Sequence, residues 1–142
     1  MSHVLLARLR PRLKVWIEVG GRPVFGDGKR RWLELIDRTG SLRATAAALG
    51  MSYRGLWGRL RGMEDGLGVR LVHRRTGGTG GGGVGLTGEA RALVALYDRF
   101  RRGLDPLVLA RFRSALAEFE KKRPRSPLSR RAARSRGAHD RA

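Results

Sequence analysis

A short turn between two capped helical segments constrains the fold of this chain more than any other feature. Ser41 is a candidate N-cap for an alanine-rich helix over residues 42–49, which Gly50 closes. Ser52 can then cap a second helix over roughly residues 53–66. Because alanine side chains allow a second helix to approach closely, the two segments predict a helix pair joined by a tight turn that contains glycine. This is the arrangement of a helix-turn-helix.

The second of these helices has one apolar and one polar face. At about 100° per residue, its core face is predicted to comprise Leu56, Leu60, Met63 and Leu67. The opposite face carries Arg54, Gly58, Arg61 and Asp65. Arg54 and Arg61 could bind guanine edges bidentately or grip phosphates, and Gly58 between them permits close approach to a groove floor.

Two aromatic residues lie on the shoulder of this helix, and the pattern leaves their roles open. Tyr53 and Trp57 could pack in the core at the helix junction. Alternatively, Trp57 could stack on sugars or pack on a thymine methyl group. Ser52 most simply caps the helix, and its position at the helix N-terminus also allows a phosphate contact.

The charge balance indicates a polyanionic partner. The 142 residues include 31 Lys and Arg against 12 Asp and Glu, a formal net charge of +19. The absence of cysteine excludes disulfides and thiolate metal sites, and His3, His73 and His139 are too far apart in sequence for metal-ligand spacing. We therefore expect a cytoplasmic protein with no metal, no cofactor and no membrane span. No nucleophile–base pair suggests an enzyme.

The basic residues are concentrated at the C-terminal end. Residues 121–142 contain nine Lys and Arg, one acid, two prolines and almost no large apolar residue. Such a segment buries too little surface to offset its ordering entropy, so it is predicted to be a disordered basic tail. It could merely solubilise the chain, or it could attract phosphate backbones nonspecifically.

Short strands are predicted before the helix pair. The alternating segment 13–19 indicates a half-buried strand, the glycines at 20 and 21 a turn, and 23–25 a short partner strand. Asp27 is then expected to cap a helix that carries Trp32, Leu35 and Ile36 on one face and ends at Gly40.

A second hairpin is predicted after the helix pair. Residues 69–75 and 84–86 read as strands joined by the glycine run at 77–83, which makes a wing. Arg70, Arg74 and Arg75 have no acid between residues 67 and 88, so they are expected to track a phosphate backbone or enter a minor groove. The glycine run is not a nucleotide-binding P-loop, because no Lys-Ser/Thr pair opens a helix after it.

Two amphipathic helices are expected to follow the wing. The first starts near Thr87, and Asp105-Pro106 caps the second. Their apolar stripes exceed what so small a body can cover, which favours a homodimer. The predicted dimerisation residues are Leu93, Leu96, Tyr97, Phe100, Leu104, Leu109, Phe112 and Leu116.

Over roughly residues 13–100, the sequence resembles the DNA-binding domain of the molybdate-responsive ModE-type regulators, relatives of the LysR-type winged helix-turn-helix. The motifs that carry the resemblance are Gly50-Met51-Ser52-Tyr53-Arg54, Trp57, Met63-Glu64, and the Thr76-Gly77-Gly78…Gly81-Gly82-Gly83 wing that ends in Leu86-Thr87. The family's C-terminal molybdate-binding region is replaced here by the basic tail, which argues against molybdate sensing by this chain.

The resemblance implies a mainly α fold with small β-hairpins (α+β), namely a winged helix-turn-helix with C-terminal dimerisation helices. The expected divisions are an arm (1–12), a DNA-binding domain (13–88), a helical linker and dimerisation region (89–120) and a tail (121–142). The implied function is transcriptional regulation through double-stranded DNA, with genes for molybdate uptake or molybdoenzymes as targets. The alternative is a nonspecific architectural nucleic-acid-binding protein. The expected DNA-binding residues are Ser41, Ser52, Tyr53, Arg54, Trp57, Gly58, Arg61, Arg70, Arg74 and Arg75.

Overall fold

The computed structural model describes residues 3–78 and 81–122, so the tip of the glycine run and most of the predicted tail lie outside the described residues. The elements are α1 (His3–Arg8), β1 (Trp16–Val19), β2 (Arg22–Gly26), α2 (Asp27–Thr39), α3 (Leu42–Ala48), α4 (Tyr53–Leu67), β3 (Val72–Gly78), β4 (Gly81–Leu86), α5 (Gly88–Arg101) and α6 (Leu104–Lys122). They form two compact units. Leu13–Asp105 is one, and the other combines, among the described residues, 3–12 with 106–122.

The predicted helix pair is present in the larger unit. The hydroxyl of Ser41 caps α3 by accepting the backbone N–H of Ala44 at 3.2 Å. The hydroxyl of Ser52 caps α4 by accepting the N–H of Gly55 at 3.0 Å. Between the helices, Gly50 adopts a left-handed φ of 65°, a conformation that costs little only for glycine. The helix-turn-helix prediction is confirmed, including both caps.

The core of this unit forms beneath the inner face of α4. Leu56, Leu60 and Met63 are buried as predicted, whereas Leu67 is only partly buried. Against them pack buried residues from α2, α3, β2 and α5, which include Leu33, Ile36, Ala46, Phe25 and Tyr97. On α2, Leu35 and Ile36 are buried as predicted, Trp32 is half-buried against the core, and Leu33, which was not predicted, is fully buried.

The start of α2 also differs from expectation. Gly26, not Asp27, occupies the N-cap position, and no side chain caps the helix there. Asp27 is the first helical residue, and its carboxylate accepts a hydrogen bond from the Tyr97 hydroxyl at 2.8 Å. Because this bond links residues 70 positions apart, local sequence patterns could not reveal it.

The two predicted hairpins are both present as antiparallel pairs. Strands β1 and β2 are joined through Gly20 and Gly21, which both have positive φ, as a tight hairpin turn requires. Strands β3 and β4 form the wing. The N–H of Val84 donates to the carbonyl of Gly40 at 2.9 Å and thereby fixes the wing to the α2–α3 turn. A Cβ at Gly83 would lie 2.6 Å from that same carbonyl oxygen, so glycine is required at 83.

Helix α5 belongs to the same compact unit as the helix pair and the wing. Thr87 caps it, as predicted, by accepting the N–H of Ala90 at 3.1 Å. Tyr97 is wholly buried, and its ring meets that of Phe25 edge-on with centroids 5.3 Å apart. The assignment of Tyr97 to a dimer surface is therefore wrong, because its side chain packs in the core of its own chain.

The smaller unit contains α1 and most of α6. Helix α1 was not anticipated, and its Leu6 is buried. Helix α6 begins at Leu104, one residue before the expected Asp105-Pro106 cap, and extends to Lys122, two residues into the predicted tail. None of its residues is buried, and Leu109, Phe112 and Leu116 are half-buried.

Candidate nucleic-acid interface

A cleft of about 560 Å³ lies in the larger unit between the wing and the N-terminal ends of α3 and α4. The polar and aromatic side chains that line it are Ser41, Arg43, Tyr53, Trp57, His73, Arg74 and Arg75. Five of these seven come from the predicted DNA-binding set. The fold thus brings together side chains that are separated by as many as 34 positions in sequence.

The outer face of α4 adjoins this cleft and is free of packing. Arg54, Gly58, Arg61 and Asp65 are all exposed, as the helical periodicity predicted. They face outward because Leu56, Leu60 and Met63 hold the opposite side of the helix in the core. The orientation is confirmed, and contact of these residues with DNA remains a prediction.

The structure distinguishes between the two aromatic residues on the shoulder of α4. Tyr53 is 47% exposed, so core packing is excluded for it, and the Arg43 guanidinium lies 5.9 Å from its ring centroid. Trp57 is half-buried against the core. Its ring is also covered by the guanidinium of Arg61 at 5.9 Å, a geometry suited to cation–π attraction.

Arg43 is a candidate functional residue that the sequence reasoning missed. It is exposed near the start of α3 and extends over Tyr53 into the cleft. The available signal was its place two residues after the Ser41 cap, where the first helix of a helix-turn-helix crosses the DNA backbone.

Ion pairs divide the arginines of this unit into two groups. Arg30, Arg91 and Arg101 form salt bridges between α2, α5 and the start of α6, with the acidic partners Glu34, Asp98, Asp37, Asp27 and Asp105. The Arg30 bond holds the pKa of Asp98 below its ordinary value. No ion pair among the described residues involves Arg43, Arg54, Arg61, Arg74 or Arg75. Among the described residues, the positive charge around the cleft and on the outer face of α4 is therefore not neutralised by ion pairs.

Arg70 differs from the other wing arginines. No acid lies between residues 67 and 88, but the Arg70 guanidinium donates to the carboxylate of Glu64, six positions earlier, at 2.9 Å. Glu64 is 4% exposed and also accepts the backbone N–H groups of Leu71 at 2.8 Å and Val72 at 3.3 Å. The side chain of Arg70 is still 68% exposed, so a DNA contact is open to it beside its structural one.

Each of the two capping serines keeps a hydrogen-bond donor in its hydroxyl group. Ser41 and Ser52 use their hydroxyl oxygens to accept helix N–H groups, and each retains its own hydroxyl hydrogen. Both lie at helix N-termini, where partial positive charge favours anions. The geometry is compatible with the predicted phosphate contacts.

Metal and membrane sites were also sought in the structure. Among residues 3–78 and 81–122, no three His, Asp or Glu side chains are close enough to hold a metal ion. Within the same ranges, no helix has the length and apolar character needed to cross a bilayer.

Comparison with known proteins identifies the domain. Residues 30–91, from within α2 to the first turn of α5, match the family of bacterial regulatory helix-turn-helix proteins of the lysR type. These residues are therefore similar in sequence to the LysR-type helix-turn-helix domain. The LysR-type match contains both helices of the pair and the whole wing.

Curated relatives refine this LysR-type assignment. The transcriptional regulator ModE of Yersinia pestis is 40% identical over 76 residues, which cover 53% of this chain and 29% of the relative. The molybdenum-pterin-binding protein MopB of Rhodobacter capsulatus is 36% identical over 89 residues, 63% of this chain and 30% of the relative. The resemblance to the ModE-type DNA-binding domain is confirmed, and the matched part spans about three-tenths of these relatives' length.

A solved structure, described as the BenM DNA-binding domain in complex with the benA site 1 DNA, is also similar to the chain. It aligns with a TM-score of 0.45 at 21% identity, covering 61% of this chain and 91% of the other.

Proposed function

We propose that this chain is a transcriptional regulator that binds specific sequences in double-stranded DNA. The observation that carries the proposal is the outward face of α4, where Arg54, Gly58 and Arg61 are exposed on the second helix of a LysR-type domain. No catalytic step is part of the proposal. Like the bacterial regulators it resembles, the protein would act in the cytoplasm, where the DNA is.

In the proposed complex, α4 enters the major groove. That groove is about 12 Å wide and admits an α-helix, and arginine recognises guanine there through two parallel hydrogen bonds. Arg54 and Arg61 lie seven residues apart, about two helical turns, and project from the same face. Gly58, midway between them, has no side chain to hold the helix away from the base edges.

The rest of the cleft would hold the DNA backbone. Arg43 and the Ser41 and Ser52 hydroxyls would bind phosphates beside the N-terminal ends of α3 and α4. Arg74 and Arg75 would bind the backbone or the adjacent minor groove from the wing. Such contacts fix the register of the helix on the duplex without reading its sequence.

Selection of bound fragments from a random DNA pool tests this function. We expect a defined motif and an affinity for it that is at least about 10³-fold higher than for a shuffled duplex, as is typical of specific DNA-binding proteins. Equal affinity for both duplexes with a steep salt dependence would instead identify a nonspecific architectural protein.

We also propose that the chain acts as a homodimer. Helix α5 exposes Leu96 and Phe100, and α6 exposes Leu107 and Phe119. Large exposed apolar side chains on adjacent turns of a helix are typical of surfaces that another chain covers. With this arrangement, the selected DNA motif is expected to be a palindrome with half-sites about one helical turn apart.

The names of the curated relatives support a molybdenum-related regulon. Several are called ModE, and two of them are described as molybdenum transport proteins. We therefore expect the selected motif to occur upstream of genes for molybdate uptake or molybdoenzymes, which a genomic search with that motif would check.

A further inference from the structure

On one face of the wing, strand β4 has glycines and therefore no side chains, whereas strand β3 carries a histidine and an arginine. His73 and Arg75 project from the same face of β3, because alternate residues of a strand share a face. Their register partners on β4 are Gly85 and Gly83. Directly opposed residues of an antiparallel pair also share a face, so Gly85 leaves open the surface across from His73, whereas the space beside Gly83 is taken by the Gly40 carbonyl.

The Arg75 side chain fills that open surface. A Cβ at residue 85 would lie 2.8 Å from Nε and 3.1 Å from Nη2 of Arg75, and 3.1 Å from Nε2 of His73. These distances mean that the guanidinium lies directly over the Gly85 backbone. Gly85 is not the register partner of Arg75, so the side chain crosses the hairpin diagonally.

This diagonal course moves the charge of Arg75 away from the wing tip. Gly85 is next to Leu86, at the end of β4 that joins α5, whereas Gly83 is two residues nearer the tip. The guanidinium is thereby drawn toward the base of the wing, and Arg75 is one of the residues that line the cleft. No ion pair among the described residues neutralises it.

Gly85 and Gly83 therefore have separate roles. Gly83 is required by the Gly40 carbonyl, which a Cβ would approach to 2.6 Å. At Gly85 the obstacles to a side chain are the flexible ends of Arg75 and, at a longer distance than the nearest Arg75 atom, of His73, and the backbone has no positive φ. Alanine at 85 can therefore be accommodated by moving the guanidinium and adjusting the imidazole, with no change in the course of the strand.

We propose that Gly85 is a positioning residue of the DNA interface, which lets the Arg75 guanidinium lie across β4 and bind a phosphate at the base of the wing. The proposal rests on the function proposed above. It adds a phosphate contact by Arg75, whose position is set by the absence of a Cβ at Gly85. A guanidinium is suited to this contact, because its fixed donors bind phosphate oxygens in parallel.

A double-mutant cycle tests the proposal. The variants Gly85→Ala, Arg75→Ala and the double variant would be titrated with the selected duplex and with a shuffled one, over a range of salt concentrations. We expect each single change to weaken binding by about tenfold and to reduce the salt slope by about one. In the Arg75→Ala background, Gly85→Ala should have no further effect on affinity or slope.

Gly88→Ala is the matched control, because a Cβ there would meet nothing within 4 Å and the residue lies three positions away. It should leave affinity and salt slope unchanged. Thermal unfolding of every variant would show that the fold persists. If Gly85→Ala unfolds the domain, the proposal is wrong, because the cost would lie in the backbone and not in Arg75.

The outcomes separate this proposal from the proposed function. Additive effects of the two substitutions, or an unchanged salt slope in Gly85→Ala, would overturn the positioning role even when binding is sequence-specific. Coupling that is equal on both duplexes, with no preference of the unmodified chain for either, would uphold the positioning role and overturn sequence-specific recognition. Failure of the unmodified chain to bind any duplex would overturn both.

Discussion

The carboxylate of Glu64 accepts the backbone N–H of Leu71 at 2.8 Å and so ties the last turn of α4 to the start of the wing. The same carboxylate holds Arg70 and is itself almost completely buried. One acidic side chain of α4 therefore helps to fix the orientation of that helix relative to the wing.

Replacement of Glu64 by alanine is expected to lower the free energy of unfolding by about 2–3 kcal/mol, because a buried N–H loses a charged acceptor. Glu64→Gln should cost less, since an amide oxygen can still accept that bond. Urea denaturation followed by circular dichroism measures both changes. Asp65→Ala is the control at the adjacent, exposed position and should change stability by no more than about 0.5 kcal/mol. Equal losses for Glu64→Ala and Asp65→Ala would contradict the structural role of Glu64.

Arg54→Ala is expected to reduce affinity for the selected DNA site by about 1–3 kcal/mol and affinity for a shuffled duplex much less, because a base contact discriminates between sequences. Fluorescence anisotropy with both duplexes measures the difference. Arg99→Ala removes the same charge from an exposed position on α5 and should affect both duplexes slightly and equally. A uniform loss for Arg54→Ala would assign Arg54 to a phosphate instead.

Tyr97→Phe tests the core hydrogen bonds at alkaline pH. Burial, together with the hydrogen bond to Asp27, raises the pKa of Tyr97 to about 12. In the unfolded chain the phenol titrates near pH 10. Between these values the unfolded state has lost the proton and the folded state keeps it, so stability falls as pH rises, by at most about 1.4 kcal/mol per pH unit.

The phenylalanine variant lacks this ionisation, so its stability should fall less steeply from pH 10 to 12 than that of the unmodified chain. At neutral pH it should be less stable by about 1 kcal/mol, because the bonds to Asp27 and Val15 are lost. Denaturation at a series of pH values provides the test. Parallel curves above pH 10 would show that Tyr97 titrates as it does in the unfolded chain.

The dimer proposal predicts that charge on the exposed face of α5 separates the protomers. Leu96→Glu combined with Phe100→Glu should yield monomers in sedimentation equilibrium at micromolar concentration, with the fold retained because both side chains are exposed. Ala95→Glu adds one charge at an exposed position of α5 on a different face, about 100° around the helix from Leu96, and serves as the control. A monomeric unmodified chain, or a dimer that survives the double substitution, would overturn the proposed interface.

Local signals were sufficient for much of the fold. The hydroxyl caps at Ser41, Ser52 and Thr87 and the positive-φ glycine at 50 are decided by a few neighbouring atoms. The helical period likewise placed Arg54 and the other outward residues of α4 correctly. These features could be predicted because their causes lie within four or five residues.

The missed features depend on distant partners. The apolar stripe of α5 was recognised, but periodicity cannot distinguish a side chain that packs on its own core, such as Tyr97, from one that awaits a second copy. The sequence named Glu64 only as part of the Met63-Glu64 motif, because the N–H groups that its carboxylate accepts follow the end of its helix. It placed Gly83 and Gly85 in the wing without a role for either, whereas both provide space for specific neighbouring atoms.

The separation of the arginines into paired and unpaired groups has a consequence for how such a protein can evolve. Arg30, Arg91 and Arg101 are committed to ion pairs that join elements of the fold. Arg54 and Arg61 form no such ion pairs, so substitutions at these two positions, natural or engineered, are expected to leave the fold stable. Descendants of this domain could therefore acquire new operators while their architecture stays the same.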